Sequence, residues 1–323
     1  MEKTKQLLFI TPNHLGFYEV LIEALEQFSD YTVTLMLLKD EHHRDYKYKH
    51  FGEKVLNFFM KTFMNKNLKK REIHKKQKQI INSHKQYDML FVIRPDMLDK
   101  EITKLAIKKS KKSVTYYWDS FEKIKGQKET IKYYNQAYTF DSNDAEKYNL
   151  KEFNNFYYRT EKKSNPEFAV HYIGTLDDRY NDLKYILNYL KSKDLKVGAN
   201  LFTINEKLKF EKENEEIKFL DEIIPFNKVY KLTENTEIIL DLKHKNQIGL
   251  SFRVFDAIGM KKKLITTNEN IKKFDFYNAN NIFIWNNDTT YIPDSFFQTP
   301  YEELSISIYE KYSLKNWIKT IFE

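Results

Sequence analysis

The chain has 323 residues, 41% of them hydrophobic and 16% aromatic, which is more than one hydrophobic core usually serves, so two domains of roughly 150 residues each are expected. No window approaches the roughly 20 apolar residues of a membrane span, and zero cysteines exclude disulfides, zinc–thiolate sites and thiol nucleophiles together. The formal charge of +8 is local, because residues 41–86 hold 13 Lys and Arg against 4 Asp and Glu and the rest of the chain is close to neutral.

In chain order, the first apolar run is too short for a signal peptide and reads as a buried strand over 6–11, so the protein is expected in the cytoplasm. Further strand-like runs fall at 32–38, 88–94, 113–117 and 136–140. Helical spacing at 18–28, 98–110 and 142–149 gives a βαβ alternation. Within the basic segment, Val55, Leu56, Phe58, Phe59, Met60, Phe63 and Met64 sit among Lys54, Lys61, Lys66, Lys69, Lys70 and Arg71. Two readings stand side by side: a helix lying on an anionic membrane surface, with the protein peripheral at the inner face of the cell membrane, or a core-facing helix with a solvated lysine face. Nucleic acid is not expected as a partner, since no zinc-finger or RNP-type motif accompanies the patch.

The polar, proline-bearing stretch 159–167 has the composition of an interdomain linker. Beyond it a second series runs through 168–173, 182–190, 196–202, 229–232, 237–240, a helix opened by Gly249, 263–266 and 282–285, and the tail 301–322 is expected to be helical. The expected organisation is α/β, with two Rossmann-like doubly wound domains facing across a cleft: residues 1–165, residues 166–300, and a final segment 301–323.

Residues 236–267 carry the densest chemistry. The apolar run Ile238 to Leu240 stops at Asp241, a loop with Lys243, Lys245 and Gln247 follows, and Gly249, Leu250 and Ser251 lead into a helix bearing Arg253 and Asp256. A helix start offers unpaired N–H groups and the positive end of a dipole, so phosphate binds there readily, with Arg253 adding fixed charge and Asp256 able to accept sugar hydroxyls. With only 7 glycines in the chain, Gly16, Gly174 and Gly249 at strand-to-helix handovers mark places where backbone turns or is closely approached. Ligands of open α/β sheets bind at such strand ends. Ordinary turns and a helix cap are the plainer reading.

Gly-Leu-Ser-Phe-Arg-Val-Phe-Asp-Ala-Ile-Gly at 249–259, Lys-Lys-Leu-Ile-Thr-Thr-Asn at 262–268 and Asp-Phe-Tyr-Asn-Ala-Asn-Asn-Ile at 275–282 resemble the GT-B glycosyltransferases of bacterial surface-polysaccharide synthesis (capsule, lipopolysaccharide, exopolysaccharide), in particular those with a glycosyl transferase group 1-like C-terminal domain. Weaker echoes lie at 92–96, 116–120, 139–148 and 172–180. The resemblance implies a nucleotide-sugar donor in the C-terminal domain, a glycan or lipid-linked acceptor on the N-terminal domain, and a final helix returning to the N-terminal domain. It places Gly174, Thr175 and Arg179 near the donor phosphates, Ser251 and Arg253 at the pyrophosphate, and Asp256 where the family has a ribose-binding glutamate. The chain departs from the family pattern at Ile248, which replaces the first glutamate of Glu-x7-Glu, and at Ser251, which replaces a proline.

Departure of a nucleotide leaving group builds negative charge that must be met by fixed cations or dipoles. No two aspartates stand at i and i+2, so Lys243, Arg253 and the helix start are expected to do this without a catalytic metal or other cofactor, the nucleotide sugar being a co-substrate. The acceptor hydroxyl needs a base, for which Asp119, beside Tyr117 and Trp118, and His14 are the candidates. Asp119 reads equally as the N-cap of a helix over 120–125, and Arg94 and Asp96 either meet the acceptor or pair with each other. Nucleotide-sugar epimerisation is disfavoured, because no Gly-x-Gly-x-x-Gly follows the first strand. The alternative outside enzymology is a non-catalytic binding or assembly protein, derived from a transferase, that holds a nucleotide or an anionic surface.

Overall fold

A computed structural model describes residues 4–38, 50–64, 67–160, 165–286, 288 and 291–323. The predicted basic segment is therefore described without residues 41–49 and 65–66, and the predicted linker without 161–164. The chain divides into two compact units, residues 1–14 with 21–139, and residues 15–20 with 140–323.

The first part of the chain runs β1 (Lys5–Pro12), α1 (Phe17–Phe28), β2 (Tyr31–Leu38), α2 (Phe51–Met64), α3 (Leu68–Ile81), β3 (Tyr87–Ile93), α4 (Lys100–Lys108), β4 (Ser110–Tyr117), β5 (Gln136–Thr139), α5 (Ser142–Tyr148) and β6 (Lys151–Glu152). Its sheet has the order β2-β1-β3-β4-β5-β6, with β1 pairing in parallel to both β2 and β3. Parallel strands are covered on both faces, so they are apolar without alternation, as in Leu7, Leu8, Phe9 and Ile10 of β1 and Leu90, Phe91 and Val92 of β3, all fully buried. The strand order reverses between β1 and β3.

The second sheet is assembled from β7 (Phe168–Thr175), α6 (Tyr180–Lys191), β8 (Val197–Phe202), α7 (Glu206–Lys212), β9 (Ile217–Phe219), α8 (Phe226–Glu234), β10 (Thr236–Asp241), α9 (Phe252–Gly259), β11 (Lys263–Thr266) and β12 (Ile282–Ile284). Three helices follow: α10 (Asp294–Gln298), α11 (Ile306–Lys311) and α12 (Leu314–Phe322). The order β12-β11-β10-β7-β8-β9, all parallel, is the dinucleotide-fold order, with its reversal between β7 and β10. Ile238 and Leu240 of β10 join a core with Leu183, Ile186, Leu187 and Leu190 of α6, whereas Ile239 joins Val254, Phe255 and Ile258 of α9. Alternate residues thus bury on opposite faces, which is why helices cover both sides.

Several local expectations change. Residues 120–125 form turns and not a helix, so Asp119 caps none. The tail is two helices, because Ser313 interrupts it and caps α12 by accepting from Asn316 N at 3.2 Å. Helix α7 and strand β9 were not anticipated: they are a short polar helix and a three-residue strand, too brief for periodicity to register.

His171 on β7 is buried, with its Nε2 hydrogen-bonded to Asn200 Oδ1 on β8 at 2.9 Å and its ring 4.9 Å from that of Phe168. Burial pulls its pKa from the ordinary 6.5 down to about 4, so between those values the unfolded chain holds a proton that the folded one refuses. Stability is therefore lost as pH falls through this window. We expect urea denaturation of the second unit to show a loss of about 2 kcal/mol from this residue between pH 7.5 and 5, absent in His171→Asn relative to its own value at pH 7.5.

Candidate functional site

Asp241 ends β10 at the strand-order reversal. Its buried carboxylate accepts two hydroxyls, from Ser251 Oγ at 2.6 Å and from Thr266 Oγ1 at 2.8 Å, while its carbonyl accepts from Thr267 N at 3.1 Å. Ser251 Oγ in turn accepts from Arg253 N at 3.1 Å and so caps α9. One acid fixes the end of β10, the end of β11 and the start of α9 together.

The loop entering α9 is held just as tightly by side chains from elsewhere in its unit. Asp141 caps α5 by accepting from Asn143 N and Asp144 N, and its second oxygen accepts from Ile248 N at 3.2 Å. Asn268 donates to the carbonyls of Ile248 and Gly249, and Asn155 donates to that of Leu250, itself a core residue. A Cβ on Gly249 would stand 2.5 Å from Phe140 Cδ2 and 2.7 Å from its carbonyl oxygen, so the close approach that demands glycine here is made by Phe140. At Gly174 the Tyr172 side chain fills the same role, and at Gly16 the left-handed φ of 70° is the requirement. The sequence identified these glycines as special, but at Gly174 and Gly249 the neighbour is protein.

Across the β7/β10 reversal, Arg179 leaves the loop after β7 and donates Nη1 to the carbonyl of Leu242 at 2.8 Å, while its Nε and Nη2 grip Asp177. Burial pushes the Asp177 carboxyl up, but Arg179 outweighs it and holds the group below the ordinary carboxylate range. Thr175 is exposed and donates to Asp177 Oδ2 at 3.4 Å. Lys245 pairs with Asp178 at 2.5 Å. Lys243, half-buried and anchored through its own N–H to Thr267 Oγ1 at 2.8 Å, makes no ion pair with any described residue, and Gln247 continues the turn by donating its N–H to the carbonyl of His244. Among the described residues, one group has metal-ligand geometry: Asp177, Asp178 and His244, each offering a ligand atom within 4.8 Å of the others. Both of its carboxylates are already neutralised, by Arg179 and Lys245. The sequence missed this group because His244 meets the aspartates only through the fold.

Arg253 and Asp256 are paired on α9, Nη2 to Oδ2 at 2.7 Å, with Asp256 only 2% exposed. Burial raises the Asp256 carboxyl above its ordinary value, opposed by Arg253. In this state the carboxylate is closed off from solvent, and Asp256 Oδ2, apart from its ion pair with Nη2, and Arg253 Nη1 are both buried without a hydrogen-bond partner among the described residues. Ile248 and Gly249 border a different space, a cavity of about 750 Å³ shared with Phe140, Asn143, Asn270 and Lys273. The expected constellation thus separates into a charged crevice at 174–179 and 243–245, a capped helix start at 251–256, and this cavity.

In the first sheet, His14 follows β1, Arg94 and Asp96 follow β3, and Trp118 and Asp119 follow β4, all at carboxyl ends of strands. The His14 and Trp118 rings are 5.9 Å apart, Asp119 accepts from Lys123 Nζ at 2.6 Å, and Arg94 grips Asp96 through Nε and Nη2. Arg94 holds a left-handed φ of 59° just after β3, backbone strain of the kind that gathers where a side chain must be aimed.

No family model and no curated protein matches the chain. Among solved structures it is similar to a glycosyltransferase from Rickettsia africae (13% identity, TM-score 0.44, 87% of this chain and 84% of that one). It is also similar to T4 phage β-glucosyltransferase (12%, 0.46, 86% and 84%) and to the UDP-GlcNAc 2-epimerase of Methanocaldococcus jannaschii (14%, 0.46, 83% and 86%).

Removing one partner of a buried ion pair strands the other. Arg253→Ala is expected to lower stability by about 3 kcal/mol or more in urea denaturation, and Arg253→Met with Asp256→Leu to recover most of it. Gly249→Ala should lower the melting temperature, because the Phe140 carbonyl is backbone and cannot swing aside.

Proposed function

We propose that the protein is a glycosyltransferase of the GT-B type, holding a nucleotide-sugar donor at the carboxyl edge of its second sheet and passing the sugar to a glycan or lipid-linked acceptor in surface-polysaccharide synthesis. The observation that carries this reading is the coincidence of cations with the β7/β10 strand reversal. Lys243 makes no ion pair with a described residue there, and Arg179 is pinned to the Leu242 carbonyl across the reversal. The Arg253 guanidinium, at the start of the Ser251-capped helix, keeps one buried donor without an acceptor among the described residues. A diphosphate would supply that acceptor and the charge partner for Lys243.

In this reading, donor cleavage puts charge on the departing nucleoside diphosphate, and Lys243, Arg253 and the α9 dipole stabilise it with no metal required. Residues 1–165 serve the acceptor, residues 166–300 the donor, and 301–323 return to the acceptor domain. His14 or Asp119 takes the acceptor proton, the neighbouring Trp118 giving a sugar ring an apolar face. A second reading, a nucleotide-binding protein without turnover, is favoured by the pairing of Arg253 with Asp256 and of Asp119 with Lys123, which occupies groups that the chemistry would use.

Calorimetry with uridine, guanosine, cytidine and thymidine diphosphate sugars in EDTA tests the donor site. We expect one class to bind, and Lys243→Ala to weaken it about tenfold or more, the loss of one charge-assisted contact. No binding by any class removes the proposal, and binding only after divalent metal is restored assigns the site to Asp177, Asp178 and His244. For turnover, His14→Ala or Asp119→Asn should cut the rate of transfer about 10²-fold or more with donor affinity kept. Donor binding without transfer to any acceptor supports the second reading.

A further inference from the structure

Helix α2 is built inside out. Its residues at i, i+4, i+7 and i+8, Phe51, Val55, Phe58 and Phe59, form one continuous face and are all exposed, with Leu56 beside them; Phe51 is 78% and Phe58 64% accessible. The opposite face carries Glu53, Asn57 and Met60 and is turned inward. There Asn57, buried, accepts from Leu68 N at 2.8 Å and fixes α2 to the start of α3. An amphipathic helix packed on a core presents its apolar side to that core, so the core-facing reading of this segment is overturned. Five large apolar side chains on one 14-residue helix form a contiguous patch, and such patches mark a surface that is covered in use.

The charges around the patch say what covers it. Among the described residues of α2 and α3 there are eight Lys and Arg against two Glu. Lys70 and Lys78 are held by Asp99 and Glu101 at the start of α4, which docks α3. Lys54, Lys61, Lys69, Arg71, Lys75 and Lys76 make no ion pair with a described residue. Arg71 and Lys75 line a cavity of about 1060 Å³ along α3, bordered by Met60 of α2 and Glu101 of α4. A second copy of the chain would bring two such cationic faces together, whereas an anionic sheet of headgroups over a hydrocarbon layer matches both the charge and the phenylalanines. No helix among the described residues is long and apolar enough to cross a membrane, so the contact would lie along the surface.

We propose that α2 and α3 dock the protein on an anionic lipid bilayer, with Phe51, Val55, Phe58 and Phe59 entering the headgroup boundary and the cations of both helices that pair with no described residue meeting lipid phosphates. This is independent of the proposed activity, since it uses neither the donor crevice nor any group assigned to transfer.

Sedimentation of the full chain with vesicles of phosphatidylcholine containing 30% phosphatidylglycerol tests it. The expected result is binding at least tenfold tighter than to phosphatidylcholine alone, weakened severalfold in 0.5 M salt and at least tenfold by Phe58→Glu with Phe59→Glu. Phe58→Trp in the otherwise unaltered chain should show a blue shift of its emission on the anionic vesicles and none on neutral ones, a readout that does not depend on how the doubly charged variant folds. Overturning results are the absence of that blue shift, equal binding to both vesicle types, or a dimer in analytical ultracentrifugation that Phe58→Glu with Phe59→Glu dissolves, which would assign the face to a second copy.

Discussion

A buried carboxylate at the end of a central strand organises everything around the proposed donor site. Without Asp241, the half-buried Ser251 hydroxyl and the fully buried Thr266 hydroxyl would each lose an acceptor, at a cost of about 1–3 kcal/mol for the Thr266 donor left unmet away from water. The consequence is geometric as much as energetic. Because the same Ser251 oxygen both donates to Asp241 and accepts from Arg253 N, the first turn of α9 cannot shift without breaking its bond to the carboxylate that also holds Thr266 at the end of β11. A helix start held this rigidly is suited to binding a fixed anion, since little reorganisation is needed when the ligand arrives.

The same economy of partners runs through the site. Asp141 uses one oxygen for the cap of α5 and the other for Ile248 N, and Asn268 spans two successive carbonyls of the loop before α9. Arg179 neutralises Asp177 and ties the turn after β7 to the turn after β10. Each cation that closes a structural contact is one fewer for a ligand, which is why the Lys243 ammonium and the Arg253 N–H, neither of which meets a partner among the described residues, stand out against their surroundings.

How much of this was legible depends on the range over which the sequence speaks. The apolar run of β10, its stop at Asp241 and the helix opening near Ser251 are consecutive in the sequence, with Ser251 ten residues beyond Asp241, and local pattern located all three. Gly249 was recognisable as a position needing glycine, but Phe140 as the reason was not, because nothing local announces a neighbour so far away along the chain; Asp141 reaches Ile248 over 107 residues. The pairing of Arg253 with Asp256 was foreseeable at i and i+3, yet its burial was not. For α2, periodicity reveals an apolar face but is silent on which way that face points; the decisive fact is the hydrogen bond from Leu68 N to Asn57.

One arrangement in the second unit bears on how the protein comes to be made. Phe17, at the start of α1, belongs by its contacts to the second unit, packing on Phe156, Phe226 and Phe252 within 6.0 Å, and the carbonyl of Leu15 accepts from Phe226 N. During translation at about 5–20 residues per second, this phenylalanine waits on the order of ten to fifty seconds before its last partner leaves the ribosome. A fragment ended near residue 139 would carry Phe17 without its aromatic nest, and one begun there would lack the ring that fills it. Dissecting the protein into separately expressed halves therefore requires transplanting residues 15–20, not merely choosing a place to cut.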